Sequence, residues 1–349
     1  VDTPPPTMAL TLALALLAAV PGPRAAPRMS TGPGHALVVQ NKGGGHGEIG
    51  FHLARVLRSM GLEVTLLQDA KADKAALPFA RYEMDLDCDV AWCDPTDPAQ
   101  VNGALEGRPP LTHVFDNYAK APEDVGAVAA AAQASPDFAL YSYVSSAGMY
   151  NAVGELREGT PVKDPPTGQR QVELALGQAF PGKWCSFRPQ YIYGPYTNKR
   201  DYLDWFLHRA VRDLPLPIPG DGSQVLSVTH CEDVATLMAS VVGRETSAGG
   251  EVFNCGTTQL VTYDSLCFAV ARALRKDVFI KNIPAGTKTS FPFRPNAEGF
   301  WVKPDKALQM LGWPGSRHGV IEDLDGFYTK DFFLMGLDKI DIDTSNDGA

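Results

Sequence analysis

Residues 36–50 read ALVVQNKGGGHGEIG, and apolar residues at helical spacing continue from Ile49 to Met60. Ala36 to Gln40 is a short apolar run of the kind that a parallel sheet buries on both faces. Gly44, Gly47 and Gly50 then form G-x-x-G-x-x-G. Glycines at a strand-to-helix junction permit a tight turn and let backbone N–H groups approach a pyrophosphate at the helix N-terminus. Strand, glycine turn and helix, in that order, predict the opening unit of a nucleotide-binding α/β fold. Working outward, Leu62 to Leu67, His113 to Asp116 and Phe138 to Ser145 read as further strands, with an Ala-rich helix at Val125 to Ala134. Strands alternating with helices imply a doubly wound parallel sheet. Beyond Tyr191 the spacing loosens and proline rises, as in Leu214 to Gly220 (LPLPIPG), which predicts a small C-terminal α/β lobe. The boundaries expected are a leader over 1–34, a nucleotide-binding domain over 35–190, a lobe over 191–335 interleaved with the last elements of that domain, and an acidic tail over 336–349.

The 349 residues are 44% hydrophobic and 20% charged, proportions of an ordinary globular protein rather than a disordered or membrane-spanning chain. The six cysteines contain no C-x-x-C pair and suit buried thiols better than a disulfide framework. A net charge of −9 excludes the uniformly basic surface of a general nucleic-acid binder, so any polyanion site must be local. From Asp338 the tail holds four Asp against one Lys and reads as a solvated acidic end. Lys199, Arg200, Arg209 and Arg212 form either a basic helix face or a merely solvated one. Met8 to Val20 is apolar but too short to cross a bilayer, which takes roughly 20 residues. No acidic residue occurs between Asp2 and Glu48. That stretch reads as an organelle-targeting leader that is removed, with secretion as the alternative.

Inside the glycine loop, Glu48 would set a carboxylate near the pyrophosphate, which is unfavourable unless it turns outward. Asp69, just past the second strand, lies within range of a ribose hydroxyl. Whether NAD or NADP is retained stays open on these residues.

Further landmarks follow in order: Asp94 in WCDPTD, Ser145 to Tyr150 (SSAGMY), Arg188 to Pro195 (RPQYIYGP), His230 to Ala235 (HCEDVA), Phe253 to Gly256 (FNCG) and Lys303 to Trp313 (KPDKALQMLGW). From residue 36 to about 330 the chain resembles the extended short-chain dehydrogenases/reductases. The resemblance implies a Rossmann sheet with Gly44, Gly47, Gly50, Asp69, Asp94 and Ser145 around a dinucleotide. In that family a Tyr with Lys four residues later follows the Ser strand, the Lys lowering the phenol's pKa for proton transfer. No Tyr here has Lys at that offset, and the corresponding stretch reads Pro165-Pro166-Thr167-Gly168-Gln169-Arg170. Conventional hydride transfer is therefore not expected.

GGHGEIGF, SSAGMY, SFRPQYIYGP, Asp204-Trp205-Phe206 and FPFRP at Phe291 to Pro295 resemble, more narrowly, the chloroplast stem-loop-binding proteins. That resemblance implies residence in the plastid stroma and binding of structured RNA. It also implies weak endoribonuclease activity with a divalent ion such as Mg2+, and association with ribosomes or other plastid assemblies as a homo- or hetero-oligomer. Lys288, Phe291, Phe293, Arg294, Phe300, Trp301 and Lys303 interleave basic and aromatic side chains suited to phosphate contact and base stacking, or to packing the lobe's core. Asp116, His230 and Asp233 are the candidates for cleavage, as carboxylates and imidazole at strand or loop ends facing the cleft. Two other classes stay open. One is a sugar-nucleotide epimerase or reductase using Ser145 or Ser146 with Tyr150, and the other is a structural subunit without catalysis.

Overall fold

The computed structural model describes residues 34–43, 47–197, 200–345 and 347. Its centre is built from β1 (His35–Gln40), α1 (Gly47–Ser59), β2 (Glu63–Asp69) and β3 (Asp89–Cys93). There follow α2 (Pro98–Leu105), β4 (His113–Asn117), α3 (Gly126–Ala134), β5 (Leu140–Val144), α4 (Gly168–Ala179) and β6 (Trp184–Pro189). After α5 (Asp201–Val211) and α6 (Cys231–Ala239), the strand β7 (Glu251–Cys255) closes the sheet, and α7 (Tyr263–Leu274) follows it. The strand order is β7-β6-β5-β4-β1-β2-β3, and every pairing is parallel.

All six residues of β1 are buried. Ala36 and Val38 pack into one cluster with Ile49, Leu53 and Leu57 of α1 and Val234 and Met238 of α6. Leu37 and Val39 point the other way, into a cluster with Val101 of α2, Val128 of α3 and Val172 and Leu176 of α4. Alternate side chains of a strand leave on opposite faces, so a run without polar interruption needs helices on both sides, and this sheet has them. The chain winds outward from β1 in both directions: β2 and β3 lie to one side, β4 to the other. This is the doubly wound Rossmann architecture. Asp69 is the last residue of β2 rather than a residue beyond it, because the strand runs two positions further than its apolar stretch.

A second hydrophobic cluster gathers Leu203 and Phe206 of α5, Leu266 and Val270 of α7, and Phe291, Phe293, Leu324 and Phe332. The acidic tail, read as solvated, is instead held: Arg212 donates to the carbonyls of Asp338 and Ile340, and Arg209 grips the Asp347 carboxylate. All six cysteines are free thiols and five are buried. Among the described residues no helix is long and apolar enough to cross a membrane.

One ion pair ties α4 to the sheet. Glu173 is fully buried and accepts from Arg188 at 2.9 and 2.6 Å, from Arg170 at 2.8 Å and from Ser186 at 2.8 Å. Burial alone would raise its pKa, but the hydrogen bonds and charge of Arg188, with Arg170 and Ser186, outweigh it and hold the carboxyl below its ordinary value. A depressed folded pKa means that the pair stabilises the fold at neutral pH and loses that contribution as the pH falls through the folded value. Glu173→Ala should cost about 3–5 kcal/mol in urea unfolding at pH 7, since it strands a buried guanidinium. The cost should shrink in acid, and Glu173→Ala combined with Arg188→Met should recover part of the loss.

Candidate functional site

The strand order reverses between β1 and β4, and ligands of such sheets bind in the crevice that opens there beyond the carboxyl ends of the strands. The crevice floor is a polar ladder. Gln40 is buried at the end of β1 and accepts from Asn117 Nδ2 at 2.8 Å. Asn41 Nδ2 donates to the Asn117 carbonyl at 2.9 Å, and Gln68 Nε2 donates to the Asn41 carbonyl at 2.7 Å. Gly50 faces this ladder: a Cβ there would lie 2.4 Å from Gln40 Oε1, so a larger residue at this point of α1 requires the Gln40 amide to move. Gly47 is the first residue of α1. Gly44 and His46 lie outside the described residues.

A cavity of about 210 Å³ opens at this edge, lined among others by Asn41, Asn117, Tyr118, Lys120, Ser145 and Gln169. The Ser145 hydroxyl is buried within it and has no hydrogen-bond partner among the described residues. Gly168 starts α4 against the carbonyl of Lys120, which a Cβ would meet at 2.2 Å. Tyr118 and Lys120 thus bring a phenol and an amine to the cavity from a loop that sequence spacing did not single out. They do not rebuild an acid–base pair. Burial, and after it the carboxylates of Asp69, Asp94, Asp124 and Asp116, push the Tyr118 phenol up to about 12, the reverse of what a catalytic lysine does. Tyr150 is also unavailable: fully buried, it donates to Asn254 at 2.6 Å and accepts from Arg188 at 3.0 Å.

Asp69 and Asp94 close β2 and follow β3, where an adenosine ribose and base would lie. Each steadies its own turn, Asp69 accepting from Lys71 N at 2.9 Å and Asp94 from Thr96 N at 3.0 Å. Glu48 does not turn outward. It is buried in the first turn of α1, and its charge is felt at His52, Tyr202 and Cys231, toward α5 and α6. Among the described residues, the features at this edge that fit a dinucleotide are the acids after two strands and the buried Ser145 hydroxyl beyond them.

The cleavage candidates are occupied. Asp116 is buried, accepts from the backbone N–H groups of Tyr118 and Ala119 at 2.8 and 3.0 Å and from Tyr141 Oη at 2.7 Å, and burial raises its pKa. Asp233 likewise accepts from Arg317 N and His318 N at 3.0 and 3.2 Å, fixing the segment before residue 320 to α6. His230 caps α6, its Nδ1 accepting from Glu232 N at 3.2 Å. That bond puts the ring proton on Nε2, so although His230 lies with His318 and Asp323 within ligand distance of a common point, it offers no lone pair to a metal there.

Three of the expected RNA contacts, Phe291, Phe293 and Phe300, lie inside the protein, and half-buried Arg294 is bound to the loop after β5. Phe291 is buried among Trp205, Phe206, Tyr263 and Phe293, as an apolar ring in a small core must be. Arg294 donates to the carbonyls of Gly148 at 2.7 Å and Tyr150 at 3.2 Å and stacks 3.8 Å from the Phe300 ring, stapling the segment to the loop after β5. Lys288 is exposed, while Trp301 and Lys303 are half-buried, Lys303 lying 3.7 Å from Glu155.

The doubly wound sheet with its crevice and Ser-bearing β5 loop defines a Rossmann protein, and the chain belongs to the NAD dependent epimerase/dehydratase family, whose model matches residues 43–256. Within that class it is similar to the chloroplast stem-loop binding protein of 41 kDa b of Arabidopsis thaliana, with 31% identity over 304 residues, 83% of this chain and 78% of that protein. Among solved structures, the fold is like that of UDP-glucuronic acid 4-epimerase from Bacillus cereus in complex with UDP-glucuronic acid and NAD. Its TM-score is 0.66 at 15% identity, over 86% of this chain and 99% of that one. UDP-glucose 4-epimerase of Thermus thermophilus in complex with NAD has a TM-score of 0.56 at 22% identity, over 83% and 96%.

Arg294→Ala should cost roughly 1–2 kcal/mol in denaturant unfolding, because it removes charge-assisted bonds to the carbonyls of Gly148 and Tyr150. The loss should be the same with and without RNA. A variant of unchanged stability would return Arg294 to the surface role.

Proposed function

We propose that this protein binds stem-loop RNA in the plastid stroma, after removal of its leader, and that it has no conventional dehydrogenase activity. The observation that carries the reading is the similarity, over most of the chain, to a protein named for chloroplast stem-loop binding. The site is consistent with it. The stretch Pro165 to Arg170, where the pair is expected, holds neither Tyr nor Lys, and the phenols nearby are buried or pushed up. A dinucleotide, NAD or NADP, would be held by the α1 N-terminus, Gly50, Asp69, Asp94 and Ser145. Its nicotinamide supplies hydride chemistry in enzymes that pair it with a proton donor. Here the chain's own residues bind and orient, with Ser145 as a hydroxyl and Lys120 as a cation at the cavity wall. Cleavage of RNA with Mg2+ is a weak accessory activity in this proposal and has no residue assigned to it.

Lys42, Lys71, Lys74 and Lys120 are exposed on the loops after β1, β2 and β4, among the carboxylates of Asp69, Asp94 and Asp124, so the cations offered to a phosphate at this edge are individual lysines on mixed-charge loops. Few phosphates can be contacted in this way. Single-stranded loops, which expose bases, should bind better than a plain duplex, whose edges are hidden.

Filter binding of a stem-loop RNA across salt, with and without magnesium, should give a shallow slope corresponding to about three to five phosphates. Lys42→Ala and Lys120→Ala should each lower that count by about one. Affinity no better than that of an unrelated acidic Rossmann protein would end the RNA reading. Calorimetry with NAD and NADP should show binding, and an absence of heat with both would reduce the glycine turn to scaffold.

A further inference from the structure

The second basic cluster of the sequence, on α5, and the acidic tail meet each other. Arg209 is buried near the end of α5, its guanidinium stacked 4.0 Å from the Trp205 ring. Its Nε donates to Asp347 Oδ2 at 3.1 Å, and a second guanidinium nitrogen donates to Asp347 Oδ1. Ser290 completes the grip. Its hydroxyl accepts from Trp205 Nε1 at 3.1 Å and from Arg209 at 2.8 Å, and donates to Asp347 Oδ1 at 2.6 Å. Arg212, one turn on, donates to the tail carbonyls of Asp338 and Ile340. A groove of about 470 Å³ runs along this face, lined among others by Arg200, Trp205, His208, Arg209, Ile340 and Asp343.

A planar fork backed by an indole, with a hydroxyl aimed at the same oxygen, is a built oxyanion site, and the pattern takes carboxylate and phosphate alike. Within the fold, Arg200 is answered by Asp204 at 2.9 Å. Arg209 and Arg212 find their acceptors in the tail. Burial first, and then the charges of Arg212, Arg209 and Arg200, push His208 down to about 4. The tail turns at Leu337–Lys339 and carries Asp343 to the groove and Asp347 to Arg209, so its carboxylates meet the arginines of α5.

We infer that the α5 groove is a second phosphate-binding surface for RNA, built from Arg209, Arg212, Ser290 and Trp205, and that the acidic tail occupies it as an internal competitor. This rests on the RNA-binding reading above. An RNA strand entering the groove displaces the Asp347 carboxylate from Arg209 and takes its place with a phosphodiester oxygen pair, while Arg212 exchanges tail carbonyls for phosphate. The tail so limits binding to RNA long enough to engage the sheet edge and this groove together.

The test uses the full chain and one labelled stem-loop RNA, read by fluorescence anisotropy at fixed salt. The tail variant carries Asp341→Asn, Asp343→Asn and Asp347→Asn. A control carries Glu83→Gln, Glu106→Gln and Glu298→Gln, three exposed acids away from α5 that change net charge equally. If the tail closes the groove about nine-tenths of the time, opening it strengthens apparent affinity about tenfold. The tail variant should gain about five- to tenfold and the control less than twofold. Adding Arg212→Gln to the tail variant should remove the gain, with thermal melts confirming that each variant folds. Equal affinity of tail variant and parent, or an equal gain in the control, overturns the inference and leaves RNA binding standing. No binding by any chain overturns the RNA reading and this inference with it, whereas binding by the tail variant alone supports both.

Discussion

The double burial of β1 is the constraint from which the rest of the molecule follows. Because both faces of that strand are apolar, helices must cover each side, and because the chain leaves β1 toward β2 and returns to its other edge through β4, a crevice must open between the loops that follow the two. Everything placed at that crevice is placed by this reversal. Gln40 and Asn117 meet because their strands are in register, Gly50 lies against Gln40, and Ser145 reaches the same edge because β5 runs beside β4.

Polar residues inside the fold are mostly committed to holding it. Glu173 and Arg188 tie α4 to β6, Asp116 closes the turn after β4, Asp233 fixes the segment at Arg317 and His318, and His230 caps α6. A charge or an imidazole that is buried must be compensated, and compensation consumes the lone pairs that catalysis would need. Among the described residues the buried Ser145 hydroxyl is not committed in this way, and it faces the same cavity as Tyr118 and Lys120.

Electrostatics divide the surface in a similar way. The chain is acidic as a whole; its exposed lysines after β1, β2 and β4 stand on loops that also carry Asp69, Asp94 and Asp124, whereas Arg209 and Arg212 on α5 meet the acidic tail.

What the sequence determined by itself was the architecture and one absence. The run ALVVQ, the glycine spacing and the alternation of elements specify a doubly wound sheet because strand and helix periodicities are local, and the lack of Tyr with Lys at the fourth position is a fact of the chain alone. The strand Asp89–Cys93 escaped notice because it is a short edge strand with only Cys93 buried, and edge strands carry little alternation. Only tertiary structure decided which polar residues face the crevice. Phe291 and Arg294 look in sequence like a stacking surface, but packing against Trp205 and Tyr263 takes Phe291 inside, and bonds to the carbonyls of Gly148 and Tyr150 commit Arg294 to the fold. Asn41, the loop of Asn117 and Lys120, and Gln169 come from distant parts of the chain and become one cavity through parallel pairing and the contact of Gly168 with Lys120. The acidic tail reads as solvated because charge runs usually are, and it docks because the arginines that receive it sit about 130 residues earlier. Periodicity is written in neighbouring residues, whereas the partner of a charge is fixed only when distant segments meet.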